Sequence, residues 1–168
     1  MNKILVAYAT KYGATAEIAA KIGQVLDGAG LQADVVPVKQ VKDLEPYGAA
    51  VLGSSIYIGA WRKELVKFLN DNEKWLADHP LWLFSSGPMG PGDPVELLKG
   101  WKSPKKLQPL LDRIKPRDVA VFHGAVDTQK MNAFEKWAIK NIKAPTGDFR
   151  DWDKISAWAR GIADQLDM

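Results

Sequence analysis

The segment Thr10-Lys11-Tyr12-Gly13-Ala14-Thr15 sets two hydroxyls, a glycine and consecutive main-chain amides between an apolar run, Lys3 to Tyr8, and a stretch of helical spacing. Amides, hydroxyl donors and the positive end of a helix dipole can hold a phosphate dianion without an arginine clamp. The same residues can also do no more than cap the helix, and the loop alone does not separate the two readings. Other chemistries lack their residues. With no cysteine, the chain has no disulfide framework, thiolate metal site or cysteine nucleophile. Its two histidines, His79 and His123, are too few for a histidine-rich metal site. His123 ends a strand and is expected to be a satisfied structural residue, while His79 only precedes Pro80. There is no Gly-x-Gly-x-x-Gly after a strand and no Gly-Lys-Ser/Thr, so dinucleotide and nucleoside-triphosphate loops lose support. A phospho-acceptor receiver needs acidic residues after its first strand, where this chain has Ala7-Tyr8-Ala9.

The elements that position the loop follow from hydrophobic period. Lys3 to Tyr8 is a strand, and Ile18, Ile22, Val25 and Leu26 give a helix stopped by Gly28 and Gly30. Further strands are expected at Ala33 to Val38, Ala49 to Ser54, Leu81 to Phe84 and Val119 to Phe122. One helix is expected through Trp61, Leu65, Phe68, Leu69, Trp75 and Leu76, ended by Pro80. Another is expected from Lys105 to Arg113, and a third along a stripe of Met131, Phe134, Ala138 and Ile142. Ser85 to Pro94 is too rich in Gly and Pro for a regular element, and Pro145 and Gly147 break the chain again. The last helix starts near Trp152 with Asp151 as N-cap, and Ile155, Trp158, Ala159, Ile162, Ala163 and Leu166 form its inner stripe. Strands this apolar, separated by helices, imply a parallel α/β sheet covered on both sides, with strand order 2-1-3-4-5. Ligands then bind beyond the carboxyl ends of the strands, where the order reverses.

The composition agrees with one domain over residues 1–168: 46% of the chain is apolar and 26% charged, which excludes disorder and collagen-like repeats. No run approaches a membrane span, and Met1-Asn2-Lys3 before Ile4-Leu5-Val6 is unlike a secretory signal, so a cytoplasmic location is expected. The net charge of +3 is unevenly spread, with seven basic and two acidic residues between Lys99 and Asp118. That segment is either a solvated helix face or a docking patch for an acidic partner or an anionic membrane surface. Nucleic acid is not expected as a partner, since no recognised motif accompanies the charge.

Tyr8-Ala9-Thr10-Lys11-Tyr12-Gly13-Ala14-Thr15, followed by Ala19 and Ile22, resembles the phosphate-loop signature of flavodoxins, departing at Ala7, where a larger apolar residue is usual. Leu52 to Gly59 and Gly147-Asp148-Phe149-Arg150-Asp151-Trp152 look like the branch of the flavodoxin family that includes menaquinone-dependent protoporphyrinogen oxidases. The resemblance spans Lys3 to Leu166 and implies a flavodoxin-like three-layer sandwich that binds FMN. Its phosphate would rest on Thr10, Lys11, Tyr12, Gly13, Ala14 and Thr15. Its ring would lie between Ser55, Ile56, Tyr57, Ile58 and Gly59 on one side and Ser86, Gly87, Pro88, Met89 and Gly90 on the other. A carbonyl near Ile58-Gly59 would face the ring nitrogen that gains a proton on reduction. Tyr57 can stack on a flat ring, Gly59 and Gly87 permit close backbone approach, and Trp61 is either core or a second stacking residue. The implied function is an FMN redox protein passing electrons between a reductase or quinone and a partner. Alternatives are protoporphyrinogen IX oxidation with menaquinone, for which the Gly87 to Ser103 loop is the candidate substrate site, and a cofactor-free interaction module.

Overall fold

Each main strand sends alternate side chains into two different cores, which is why the strand sequences read as continuous apolar runs. The computed structural model describes residues 3–57, 59–88, 90, 92–126, 128–142 and 147–167, with backbone alone at 57, 128, 138, 139 and 142. In β1 (Lys3–Ala9), Ile4 and Val6 join one core while Leu5, Ala7 and Ala9 join the other. β1 pairs in parallel with β2 (Ala33–Pro37) on one side and β3 (Tyr47–Tyr57) on the other. β5 (Leu81–Ser86) and β6 (Asp118–Phe122) continue the sheet, giving the order β2-β1-β3-β5-β6. This is the doubly wound arrangement expected from the sequence, with the reversal between β1 and β3.

The first core is closed by α1 (Ala14–Gly28) and α7 (Trp152–Leu166). Asp151 caps α7, its carboxylate accepting from the Lys154 amide at 3.2 Å, and Ile155, Ala159, Ile162 and Ala163 are buried as expected. The second core is closed by α2 (Lys63–Asp71), α3 (Glu73–Asp78) and α5 (Gln108–Ile114). Leu5, Leu52 and Leu83 have no exposed surface, and burial of each contributes roughly 1.5–3 kcal/mol.

Several elements differ from the sequence reading. The helix expected from Trp61 to Leu76 divides into α2 and α3 at Asn72, whose side-chain amide donates to the Phe68 carbonyl at 2.9 Å. An asparagine that offers its own hydrogen bond competes with helix continuation. Trp61 lies in no helix: with Ala60 it forms β4 (Ala60–Trp61), antiparallel to the end of β3. The basic stretch is a short 3-10 turn, Lys105–Leu107, followed by α5. Between Ser86 and Lys105 the loop carries one short helix, α4 (Pro94–Leu97), capped by Asp93. Beyond β6, β7 (Ala125–Val126) and β8 (Gly147–Asp148) pair antiparallel around α6 (Ala133–Ile142). Phe134 of the expected helical stripe is 72% exposed and stacks on Trp137, with ring centres 6.1 Å apart and planes inclined by 28°. The stripe therefore faces solvent at that point. The side chains of Ala138 and Ile142, and all of Pro145, lie outside the described residues.

Gly53 of β3 is required by packing. A Cβ there would lie 2.0 Å from Cζ of Phe84, a fully buried ring. Gly53→Ala is expected to destabilise the fold by about 1–3 kcal/mol through overpacking, read as a lower urea midpoint at unchanged slope. An unchanged midpoint would mean that Phe84 turns aside freely.

Candidate functional site

The carboxyl ends of β1, β3 and β5 lie side by side, with Ala9 paired to Ser54 and Ser55 paired to Ser86. The three loops singled out in the sequence leave from these ends, so the topology gathers them on one rim. After β1 the chain turns at Gly13, whose φ of +94° favours glycine. The Gly13 amide donates to Thr10 Oγ1 at 3.0 Å, closing the turn. Gly13 occupies the N-cap of α1 without a capping side chain, so the first-turn amides need an outside acceptor such as water or an anion.

Thr15 is completely buried, and its hydroxyl meets Ser86 Oγ at 2.9 Å, tying the first loop to the third. The two hydroxyls hold two hydrogens and share one hydrogen bond, so one hydrogen is left for a further acceptor. Beside them is a cavity of about 160 Å³ whose lining includes Thr10, Thr15, Ser55, Ser86 and Gly87. Ser55 Oγ and the Tyr12 hydroxyl, both on its lining residues, are buried without hydrogen-bond partners. Buried polar groups without partners are uncommon and mark a place where a ligand group or water belongs. The volume suits a phosphate and part of a polar chain; whole organic cofactors occupy roughly 300 Å³ or more.

The second loop is a tight hairpin: Tyr57 pairs with Ala60, and Gly59 has φ +68° with open space around it. Ile56 lines the cavity. The Tyr57 side chain, Ile58 and Met89 lie outside the described residues, and with them part of the Ile58-Gly59 stretch expected to turn a carbonyl toward the ring. In the third loop, Gly87 donates its amide to the Phe122 carbonyl at 3.2 Å, and Pro88 and Gly90 are buried. Trp61 is core: it is 4% exposed, and its indole N–H donates to Ser85 Oγ at 2.8 Å. His123 is also buried, but Nε2 has no hydrogen-bond partner, so the expected satisfied histidine is corrected at that atom.

Other site residues come from beyond β6 and were missed in the sequence. Gly124 packs against Gly87 so closely that a Cβ would lie 2.9 Å from the Gly87 Cα. A glycine directly after the fifth main strand was the available signal. Ala125, Val126 and Met131 line the cavity. Arg150, in the segment that carried part of the resemblance, donates to the Ala14 carbonyl at 3.3 Å, to Glu17 at 2.9 Å and to Asp148 at 2.8 Å. Its guanidinium also sits 4.7 Å from the Trp152 ring centre. The start of α1 is thereby held from behind.

A larger cavity, about 1280 Å³, contains none of these loop residues; Val38, Tyr47, Phe68 and Trp75 are among its lining. Its size does not make it the candidate site, because the uncapped start of α1 and the Thr15–Ser86 hydroxyl pair lie at the smaller cavity, although one partnerless atom, Glu64 Oε2, is on a residue that lines the larger one. In the basic segment Leu110, Leu111 and Ile114 are buried, Arg113 pairs with Glu73, and Arg117 lies 5.2 Å from the Trp82 ring centre. None of its residues lines the cavity at the loop. Among the described residues no group of acidic, cysteine or histidine side chains could hold a metal ion, and no helix is long and apolar enough to cross a membrane.

Residues 5–153 match the Flavodoxin domain family, and the chain belongs to it. A protoporphyrinogen IX dehydrogenase [quinone] of Escherichia coli (strain K12) is 25% identical, over 98% of this chain and 97% of that protein. Among solved structures, a flavodoxin from the domain Archaea superposes with a TM-score of 0.64 at 15% identity, covering 99% of each chain. Oxidised Flavodoxin 2 from Bacillus cereus gives 0.60 at 20% identity, over 97% of this chain and 99% of that one. The likenesses to solved structures concern the fold.

The Arg150 guanidinium, through its hydrogen bond to Asp148, holds that carboxyl below the ordinary aspartate range. A depressed folded-state pKa means that this contribution is present above the unfolded-state value and is lost as pH falls through the folded one. In Arg150→Gln the Asp148 carboxyl is expected to titrate at higher pH, read by carboxyl-carbon NMR. An unmoved titration would show that Arg150 is not the cause.

Proposed function

We propose that the protein is an FMN-binding redox protein that passes electrons between a reductase or quinone and a partner or substrate. The observation that carries this reading is the convergence, at the switch point of the sheet, of an uncapped helix start, the Thr15–Ser86 hydroxyl pair and the partnerless Ser55 and Tyr12 oxygens. FMN bound there would supply one- and two-electron chemistry. Thr10, Lys11, Tyr12, Gly13, Ala14 and Thr15 hold its phosphate through amides and hydroxyls. Ser55 to Gly59 and Ser86 to Gly90 flank its ring, and the bare backbone at Gly59 and Gly87 lets a flat group approach.

A second reading, dehydrogenation of protoporphyrinogen IX with a quinone as acceptor, is favoured by the near full-length coverage of the Escherichia coli relative. It places the substrate beside the loop after β5. Docking of the Lys99 to Arg117 segment on an anionic membrane surface would suit either reading, as would a cytoplasmic location.

The test is an absorption spectrum of the purified protein with mass identification of any released chromophore, followed by titration of the stripped protein with FMN. A yellow protein that quenches FMN fluorescence at one equivalent is expected. In Thr10→Ala, the lost turn-closing acceptor is expected to weaken FMN binding about tenfold. A colourless protein that leaves FMN fluorescence free would overturn the reading in favour of a cofactor-free module. For the second reading, reduced-quinone formation from protoporphyrinogen is the decisive assay.

A further inference from the structure

Among the described residues, Lys11, Lys130 and Arg150 bring cations to the turn after β1, and their contacts differ. The Lys11 ammonium meets the Glu135 carboxylate of α6 at 2.9 Å. Arg150 meets both Glu17 and Asp148. Lys130, in the 3-10 turn Thr128–Lys130, reaches the loop itself: Nζ donates to the Tyr12 carbonyl at 3.3 Å and lies 3.8 Å from where a Gly13 Cβ would stand. An ammonium has three donors, and one carbonyl does not exhaust them. Lys11 and Arg150 together face three carboxylates, Glu135, Glu17 and Asp148, so these two cations bring no net positive charge to the turn, and the Lys130 ammonium is what offsets that balance for an anion placed there.

We propose that Lys130 is a charge partner for the phosphate of the ligand held by this loop, so that the site selects a phosphorylated flavin over its unphosphorylated counterpart. The inference rests on the FMN reading and adds to it a residue more than 100 positions away in sequence, brought in by the segment between β6 and β8. The absence of a Gly13 side chain leaves the path between Nζ and the turn open. Lys11 has a different part: with Glu135 it fastens α6 to the loop and thereby helps hold the 3-10 turn in place.

The experiment compares FMN and riboflavin binding by fluorescence titration in the wild type, Lys130→Gln and Lys130→Arg, each at low and moderate salt. In Lys130→Gln, FMN affinity is expected to fall about tenfold with riboflavin affinity unchanged, and the salt dependence of FMN binding to flatten. Lys130→Arg keeps the charge and is expected to keep most of the preference. FMN affinity unchanged in Lys130→Gln, or FMN and riboflavin weakened by the same factor, would overturn the proposal while leaving the FMN reading intact. Failure of the wild type to bind either flavin would remove the functional reading and this proposal with it.

Discussion

Burial of the main sheet on both faces is the constraint from which the site follows. Side chains of β1, β3 and β5 are committed alternately to two cores, so the interior strand positions have nothing to offer a ligand. At the carboxyl ends the loops leave both cores, and there the first amides of α1 have no capping side chain. Because β1 has neighbours on both sides, its exit turn opens into the gap where the strand order reverses. The placement of the hydroxyls and glycines is therefore a result of topology as much as of local sequence.

At that rim the chain segments approach closely enough that side-chain volume becomes limiting. Gly87 and Gly124 meet backbone to backbone, and the Thr15–Ser86 contact joins two loops 71 residues apart. Small residues allow the rim to close, and hydroxyls allow it to close without losing donors. The same economy leaves Ser55 and Tyr12 with oxygens that no protein group satisfies, and burying such a group without a partner costs free energy.

The segment beyond β6 gives the rim a third wall. It is pinned by Lys11 to Glu135 and by Lys130 to the Tyr12 carbonyl, and Arg150 fastens the following segment to the start of α1. These contacts join parts of the sequence that show no local pattern of charge pairing. They also leave Phe134 and Trp137 outward, since the pinned side of α6 is the polar one.

Hydrophobic period and turn residues already determined the five main strands, their order, the Asp151 cap and the turn from Thr10 to Thr15 that joins β1 to α1. All of these depend on neighbours within a few positions or on general chirality rules. The break at Asn72, the short β4 pairing and the outward face of Phe134 were hidden, because they depend on what packs over each segment. Tertiary structure alone decided that Trp61 is core, that His123 has a partnerless nitrogen, that Gly124 packs on Gly87 and that Lys130 and Arg150 reach the turn after β1. Periodicity records which side of an element is apolar; the approach of residues separated by tens of positions is set by the sheet, and only folding brings their charges and backbones within reach.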